Sequence, residues 1–323
     1  MAICINCGGI CFGSYSITPS ADGICISGAF SHQGTEIIPT QAQGSVSGYT
    51  SGGYAPPIVD TIDKFPFSSD TNATDVGELS QGRYSPTGQS SSTFGYVSGG
   101  HAPPIVDTID KFPFSSDTNA TDVGELTQAR RNAAGQSSST NGYSSGGRSP
   151  TFRNTIDKFP FAVDANATDV GDLSQTRTEV AGQSSRSNGY SSGGEAPPHV
   201  DTIDKFPFAT DTNASDVGEL SLRRANVAGQ NSVDHGYTSG GSPPDTDTID
   251  KFTFAADANA TDVGNLTQAR NSLTGQSSSE NGYSSGGDPI VDTIDKFPFS
   301  SDTNATDVGN LTQARKRAAG QQV

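Results

Sequence analysis

The chain has 323 residues, a formal charge of −16, 38 glycines and no tryptophan. Such an acidic chain repels phosphate backbones and anionic lipid surfaces, both recognised through clustered Lys and Arg, so nucleic acid is not an expected partner. No stretch approaches the roughly 20 apolar residues of a spanning helix, and the first residues lack the basic region and long apolar run of a signal peptide; a soluble protein made in the cytoplasm, without membrane insertion, is expected.

The first element in chain order is residues 1–45. It holds all four cysteines, Cys4, Cys7, Cys11 and Cys25, and the rest of the chain has none. Four thiols could bind structural zinc, but Cys-x2-Cys-x3-Cys followed by a lone cysteine lacks the paired Cys-x2-Cys knuckles of such sites; free thiols or disulfides suit it as well. The pattern around Ile24 to Ile26 predicts short strands. Residues 1–45 therefore read as a small, Cys-containing, β-rich attachment segment, and 46–323 as one domain.

From there the chain repeats. Gly-Tyr-x-Ser-Gly-Gly begins at Gly48, Gly95, Gly142, Gly189, Gly236 and Gly282, at four spacings of 47 and one of 46. In phase follow Ile-Asp-Lys-Phe-x-Phe, with Asp63, Asp110, Asp157, Asp204, Asp250 and Asp295, and then Asp-Val-Gly-x-Leu from Asp75 to Asp307. An arginine comes four residues after each of those leucines, at Arg83, Arg130, Arg177, Arg224, Arg270 and Arg315, and a Gly-Gln pair closes each unit. Abundant Gly, Ser, Thr, Asn and Asp favour short strands and tight turns. Four extended segments per period of this length predict a propeller blade, and no segment has helical apolar spacing. Phe65 and Phe67 share one strand face with Asp63, while Ile62 and Lys64 share the other, supplying bulk to both faces of a blade packed between neighbours. Each buried aromatic contributes about 4–6 kcal/mol gross, before ordering entropy.

The first Gly-Tyr segment has no Gly-Gln strand before it, and the last Gly-Gln segment, at Gly320, has no Gly-Tyr strand after it. The fold class expected is thus all-β: a closed six-bladed β-propeller of four-stranded blades, the first completed by the C-terminal strand, which removes the free edges of an open array.

The order of Arg, small strand, hydrophobic-Gly-Gly and short strand resembles the kelch repeat over about residues 48–323. It departs from that family in its aromatic pair, which reads as Phe65 with Val76 instead of tryptophan. The wording Ser-Gly-Gly, Ile-Asp-Lys-Phe-Pro-Phe and Asn-Ala-Thr-Asp-Val-Gly is similar to repeats in virion structural proteins of marine, cyanophage-like tailed viruses. That resemblance implies a virion location after assembly in the host cytoplasm. It implies a non-enzymatic fibre, tail-associated or capsid-decorating component, with other virion proteins as partners of residues 1–45. A carbohydrate-binding host-recognition module is the alternative, and a glycan-cleaving propeller a more distant one.

Six copies in one chain allow positions to be compared. Residues 55–79 and 102–126 are identical, whereas variation gathers in two connections. After Gly-Gly stand Tyr54, His101, Arg148 with Phe152 and Arg153, Glu195 with His199, and Asp245; after the blade-ending Arg stand Tyr84, Arg131, Glu179 and their counterparts, through Lys316 with Arg317. In an antiparallel four-stranded blade both connections emerge on one side. These residues form the candidate ligand-binding face, turned toward a host surface glycan or protein, while the nearly constant Asp-x-Asn-Ala-Thr/Ser-Asp connection, the more modestly varied first-to-second connection and the N-terminal segment belong to the opposite face. Free drift of surface loops gives the same pattern.

Other constellations are weaker. Asp70, Asn72 and Asp75 offer oxygen ligands for calcium, but Asx turns use the same residues and the ligand set of an EF-hand is incomplete. Asn72-Ala73-Thr74 fits a glycosylation pattern, and without a signal peptide it reads as a turn. His32, His101, His199 and His235 occupy different phases of the repeat, which argues against a metal cluster or triad. Lys64 and its equivalents read as solvated or cross-blade partners. No sialidase-type Ser-x-Asp-x-Gly-x-x-Trp box or phosphate-binding glycine loop occurs. No catalytic residue, metal site or cofactor is expected.

Overall fold

The computed structural model describes residues 43–323 and, in the preceding segment, the backbone of four short strands. The chain divides into two compact units, 1–40 and 41–323. In the first, Cys4–Ile5 pairs with Ile10–Cys11 and Ser16–Ser20 with Gly23–Ser27, so a strand does run through Ile24 to Ile26. The cysteine side chains, His32 and residues 28–42 lie outside the described residues.

The second unit is six four-stranded antiparallel sheets arranged in a ring. The second blade shows the pattern: Thr87–Ser90 innermost, then Phe94–Ser98, Thr108–Pro113 and Thr121–Glu125 outermost. The first blade takes its inner strand, Ala319–Gln322, from the C-terminal end of the chain and sets it against Ser47–Tyr54, followed by Ile58–Pro66 and Thr74–Glu78. This is the expected closure. Residues 43–46 also belong to the propeller: the amides of Ser45 and Val46 bond to the Val323 carbonyl, and Gly44 pairs with Ser278. Pro66 and its equivalents end the third strand, where a residue without an N–H costs no ladder bond.

Blades are held to one another by aromatic stacking. Tyr96 lies against Phe159 and Phe161 of the next blade, with ring centroids 5.5 and 4.8 Å apart. The same triad recurs around the ring, and Tyr283 against Phe65 and Phe67 closes it. Phe65 and Val76, an apparent pair in the sequence, are not partners. Phe65 packs with Tyr283 toward the sixth blade, whereas Val76 packs with Tyr49 and Phe112 toward the second. The separation follows from a bulge: the outer strand has one extra residue where Ile62 faces Gly77 and Asp63 faces Asp75.

Polar groups are buried at every joint. Each blade-ending arginine meets the Asp of the next blade's Ile-Asp-Lys: Arg83–Asp110, Arg130–Asp157, Arg177–Asp204, Arg224–Asp250, Arg270–Asp295 and, across the closure, Arg315–Asp63. These groups are essentially shielded from solvent. Burial pulls the Arg177 guanidinium below its usual range, and Asp204 pushes it back. The carboxylate is shared: Asp110 also accepts the Ser80 amide at 2.9 Å and the Ser80 hydroxyl at 2.6 Å. The connection leaving one blade is thereby pinned into the next. Gln89 of an inner strand turns away from the axis and donates to Ser98 Oγ and to the Tyr143 carbonyl, each at 2.9 Å.

At the axis the inner strands nearly touch. A Cβ on Gly182 would sit 2.1 Å from the Gly135 carbonyl oxygen, and Gly88, Gly135, Gly229, Gly275 and Gly320 are equally crowded by the preceding blade. Only glycine allows this approach.

Candidate ligand-binding face

The two variable connections lie side by side because the backbone joins them. Tyr84 bridges His101, Arg131 bridges Arg148, Thr178 bridges Glu195 and Asn271 bridges Asp288, and Tyr54 bridges Lys316 across the closure. The variable positions therefore form one rim on one face. The constant connection is engaged in structure on the other. Asp70 pairs with Lys296, Asn72 Oδ1 accepts the Asn310 amide at 3.1 Å, and Asp75 Oδ1 accepts the amide of Gly77 at 3.1 Å. Lys64 reaches Asp117 of the next blade in the same way. Among the described residues no group of three or more His, Cys, Asp or Glu side chains is placed to hold a metal ion. The chain reaches Gln43 on this constant face, where Gln43 Nε2 donates to the Asn231 carbonyl at the end of an inner strand.

On the rim, Tyr54, Tyr84, His101 and Arg131 come together. The Tyr54 and Tyr84 rings are 6.1 Å apart and nearly perpendicular, and Tyr84 and His101 are 4.9 Å apart. Arg131 lies over the Tyr84 ring at 5.7 Å and donates to its hydroxyl at 2.9 Å. Burial, and then Arg131, holds the His101 imidazole below its usual range. The patch continues through the Arg131–Arg148 bridge to the loop where Arg148 lies over Phe152 at 5.7 Å and Arg153 bonds to the Ser149 carbonyl. Glu195 and His199 bridge one another in the fourth blade's loop. Asp245, exposed, accepts from Asn271 at 2.9 Å and lies apart from the aromatic patch. These residues do not converge on one pocket.

Glu179 belongs to a different arrangement, in which five further residues take part. The second residue after each blade-ending arginine is Ser85, Asn132, Glu179, Asn226, Ser272 or Arg317, and all six have φ between 55° and 61°. Their backbones form a closed circuit: each amide donates to the carbonyl of its counterpart in the preceding blade, at 2.7–3.0 Å, with Ser85 bonding to Arg317 to complete it. The circuit rims a cavity of about 80 Å³ at the axis, with Pro86, Ala133, Val180, Val227, Leu273 and Ala318 beneath it. Below that collar a channel of about 140 Å³ runs between the inner strands. Asn132 and Asn226 donate to the two oxygens of the Glu179 carboxylate at 3.3 and 2.6 Å. Burial pushes the Glu179 carboxyl above the usual carboxylate range, against the opposing pull of Arg317. The signal was present in the sequence as six in-phase residues, but it takes ring closure to place them around one axis.

The fold defines the class: this is a closed six-bladed β-propeller, all-β among the described residues. Comparison with protein-family models and with curated proteins finds no match.

Proposed function

We propose that this propeller is a non-enzymatic display module of a virion, attached through its N-terminal segment and presenting the variable rim outward to a host-surface glycan or protein. The observation that carries the reading is the concentration of variation on one face. Blades that are otherwise near copies differ most where the Gly-Gly and post-arginine connections meet, while on the opposite face the third-to-fourth connections are nearly constant and cross-linked by Lys–Asp pairs and the first-to-second connections vary more modestly. A scaffold that diversifies one side more than the other suits attachment on the less varied side and recognition on the more varied one. The virion location itself is supported by the resemblance of the repeat wording. A glycan is favoured over other host ligands by the patch of Tyr54, Tyr84, His101 and Arg131, in which aromatic faces stand beside hydrogen-bond donors.

The test is cosedimentation of the full chain, and of a chain lacking residues 1–40, with particles that lack the native protein; residues 43–46 are retained because they bond to the propeller. Only the full chain is expected to bind. Equal binding by both overturns the attachment role of the N-terminal segment, and binding by neither overturns the virion reading. Tyr84→Ala is expected to leave particle binding intact and to reduce binding to host cells; unchanged host binding removes the aromatic patch from recognition.

A further inference from the structure

We propose that the axial mouth on the variable face binds a small zwitterion, with the chemistry of an α-amino acid carrying a short aliphatic side chain. Its ammonium pairs with Glu179 and its carboxylate with Arg317. The ring has six places, and these two residues stand three apart, on opposite sides of the axis.

The backbone at all six places is left-handed, a conformation that glycine adopts without strain and asparagine tolerates, whereas glutamate and arginine rarely adopt it. Strained positions held by surrounding structure gather where a side chain is used. The fold has many glycines to spare and places none here. Both charged groups are also left incomplete. The Glu179 carboxylate is gripped by Asn132 and Asn226 but makes no ion pair, and its oxygens retain lone pairs for an ammonium. Arg317 donates only through Nε, to Ser272 Oγ at 3.4 Å, leaving its terminal nitrogens for a carboxylate. Beside Arg317 in the circuit, Ser85 Oγ is buried and has no hydrogen-bond partner.

The collar beneath is apolar and lopsided. Val180, Val227 and Leu273 follow Glu179, Asn226 and Ser272, while Pro86, Ala133 and Ala318 follow Ser85, Asn132 and Arg317. Small residues on the Arg317 side leave room for a few carbons within the cavity of about 80 Å³. Net charge selects in the same direction. A chain of −16 disfavours approach of a free anion, and a lone amine leaves the guanidinium unpaired, whereas a zwitterion is neutral overall and satisfies both groups. The site stands independently of the virion reading, since neither particle attachment nor host binding enters the argument.

The experiment is isothermal titration calorimetry of the full chain at low salt with L-valine, isobutylamine and isobutyrate. L-valine is expected to bind saturably and at least about tenfold more tightly than either singly charged analogue. Glu179→Gln and Arg317→Gln are each expected to weaken L-valine by about tenfold or more while still unfolding in one cooperative thermal transition, and Val163→Ser, at an exposed position on the opposite face, to leave it unchanged. No saturable heat with L-valine, or equal affinity for all three probes, overturns the proposal on the unmutated chain alone. Folded charge variants that bind L-valine like the parent overturn it as well.

Discussion

Glu179 is the residue whose environment asks most of it: a left-handed backbone, two amide donors on its carboxylate and a half-buried charge. Burial raises its carboxyl above the ordinary value of 4.5, so the folded chain holds this proton more tightly than the unfolded chain does. The associated stabilisation is complete below the ordinary value and is lost as pH climbs through the raised one. At neutral pH the ionised carboxylate is therefore a cost. Glu179→Gln keeps an acceptor and a similar shape without the charge, so it is expected to raise the unfolding midpoint at pH 7 relative to the parent chain, with the gain shrinking toward pH 4. Thermal melts of both chains across that range check the prediction, and a gain that grows on acidification contradicts it. Neither the left-handed backbone of Glu179 nor its neighbours could be read from the repeat. A single blade gives no hint that Asn132 and Asn226 grip Glu179 from the two sides.

At the scale of the strand, inner and outer elements obey different constraints. An inner strand is short and lies against its counterparts in both neighbouring blades, so its glycine has no space for a methyl group. Gly182→Ala puts a Cβ 2.1 Å from a backbone oxygen that cannot move aside without displacing a strand. A cost of ~3 kcal/mol is expected from such overpacking. Gly82→Ala is the control, because its nearest contact would be 3.5 Å away, and it should change stability little. Chemical denaturation of the two variants separates crowding from a general effect of replacing glycine. Strand boundaries, blade count and the split first blade were all legible in the repeat, because period and phase are one-dimensional properties. Two features were not legible. Arg83 and Asp110 each recur six times, but nothing in their spacing says that they meet; the pairing appears only when the post-arginine connection crosses between blades. The bulge opposite Ile62 and Asp63 sends Phe65 and Val76 to different interfaces, which alternation along an unbroken strand does not reveal.

For the whole molecule the question is whether the ring behaves as a ring. A linear array of blades has two ends, and contacts near an end contribute less because fewer neighbours depend on them. A closed ring has none. Asp63 is the discriminating residue, since its arginine partner, Arg315, comes from the far end of the chain and reaches it only when the ring is shut. Replacing Asp63, Asp110, Asp157, Asp204, Asp250 or Asp295 by asparagine leaves a buried guanidinium without its counter-charge, a loss of about 3–5 kcal/mol at such sites. Closure predicts that Asp63→Asn costs as much as Asp204→Asn on the other side of the ring, within about 1 kcal/mol, and that each variant unfolds in a single transition. Urea denaturation followed by both near-ultraviolet and far-ultraviolet circular dichroism measures this directly. A much smaller cost for Asp63→Asn, or a first blade that melts ahead of the rest, means that in solution the seam made by Ala319–Gln322 against Ser47–Tyr54 is open, and the axial mouth, which needs Arg317 beside Ser85, is open with it.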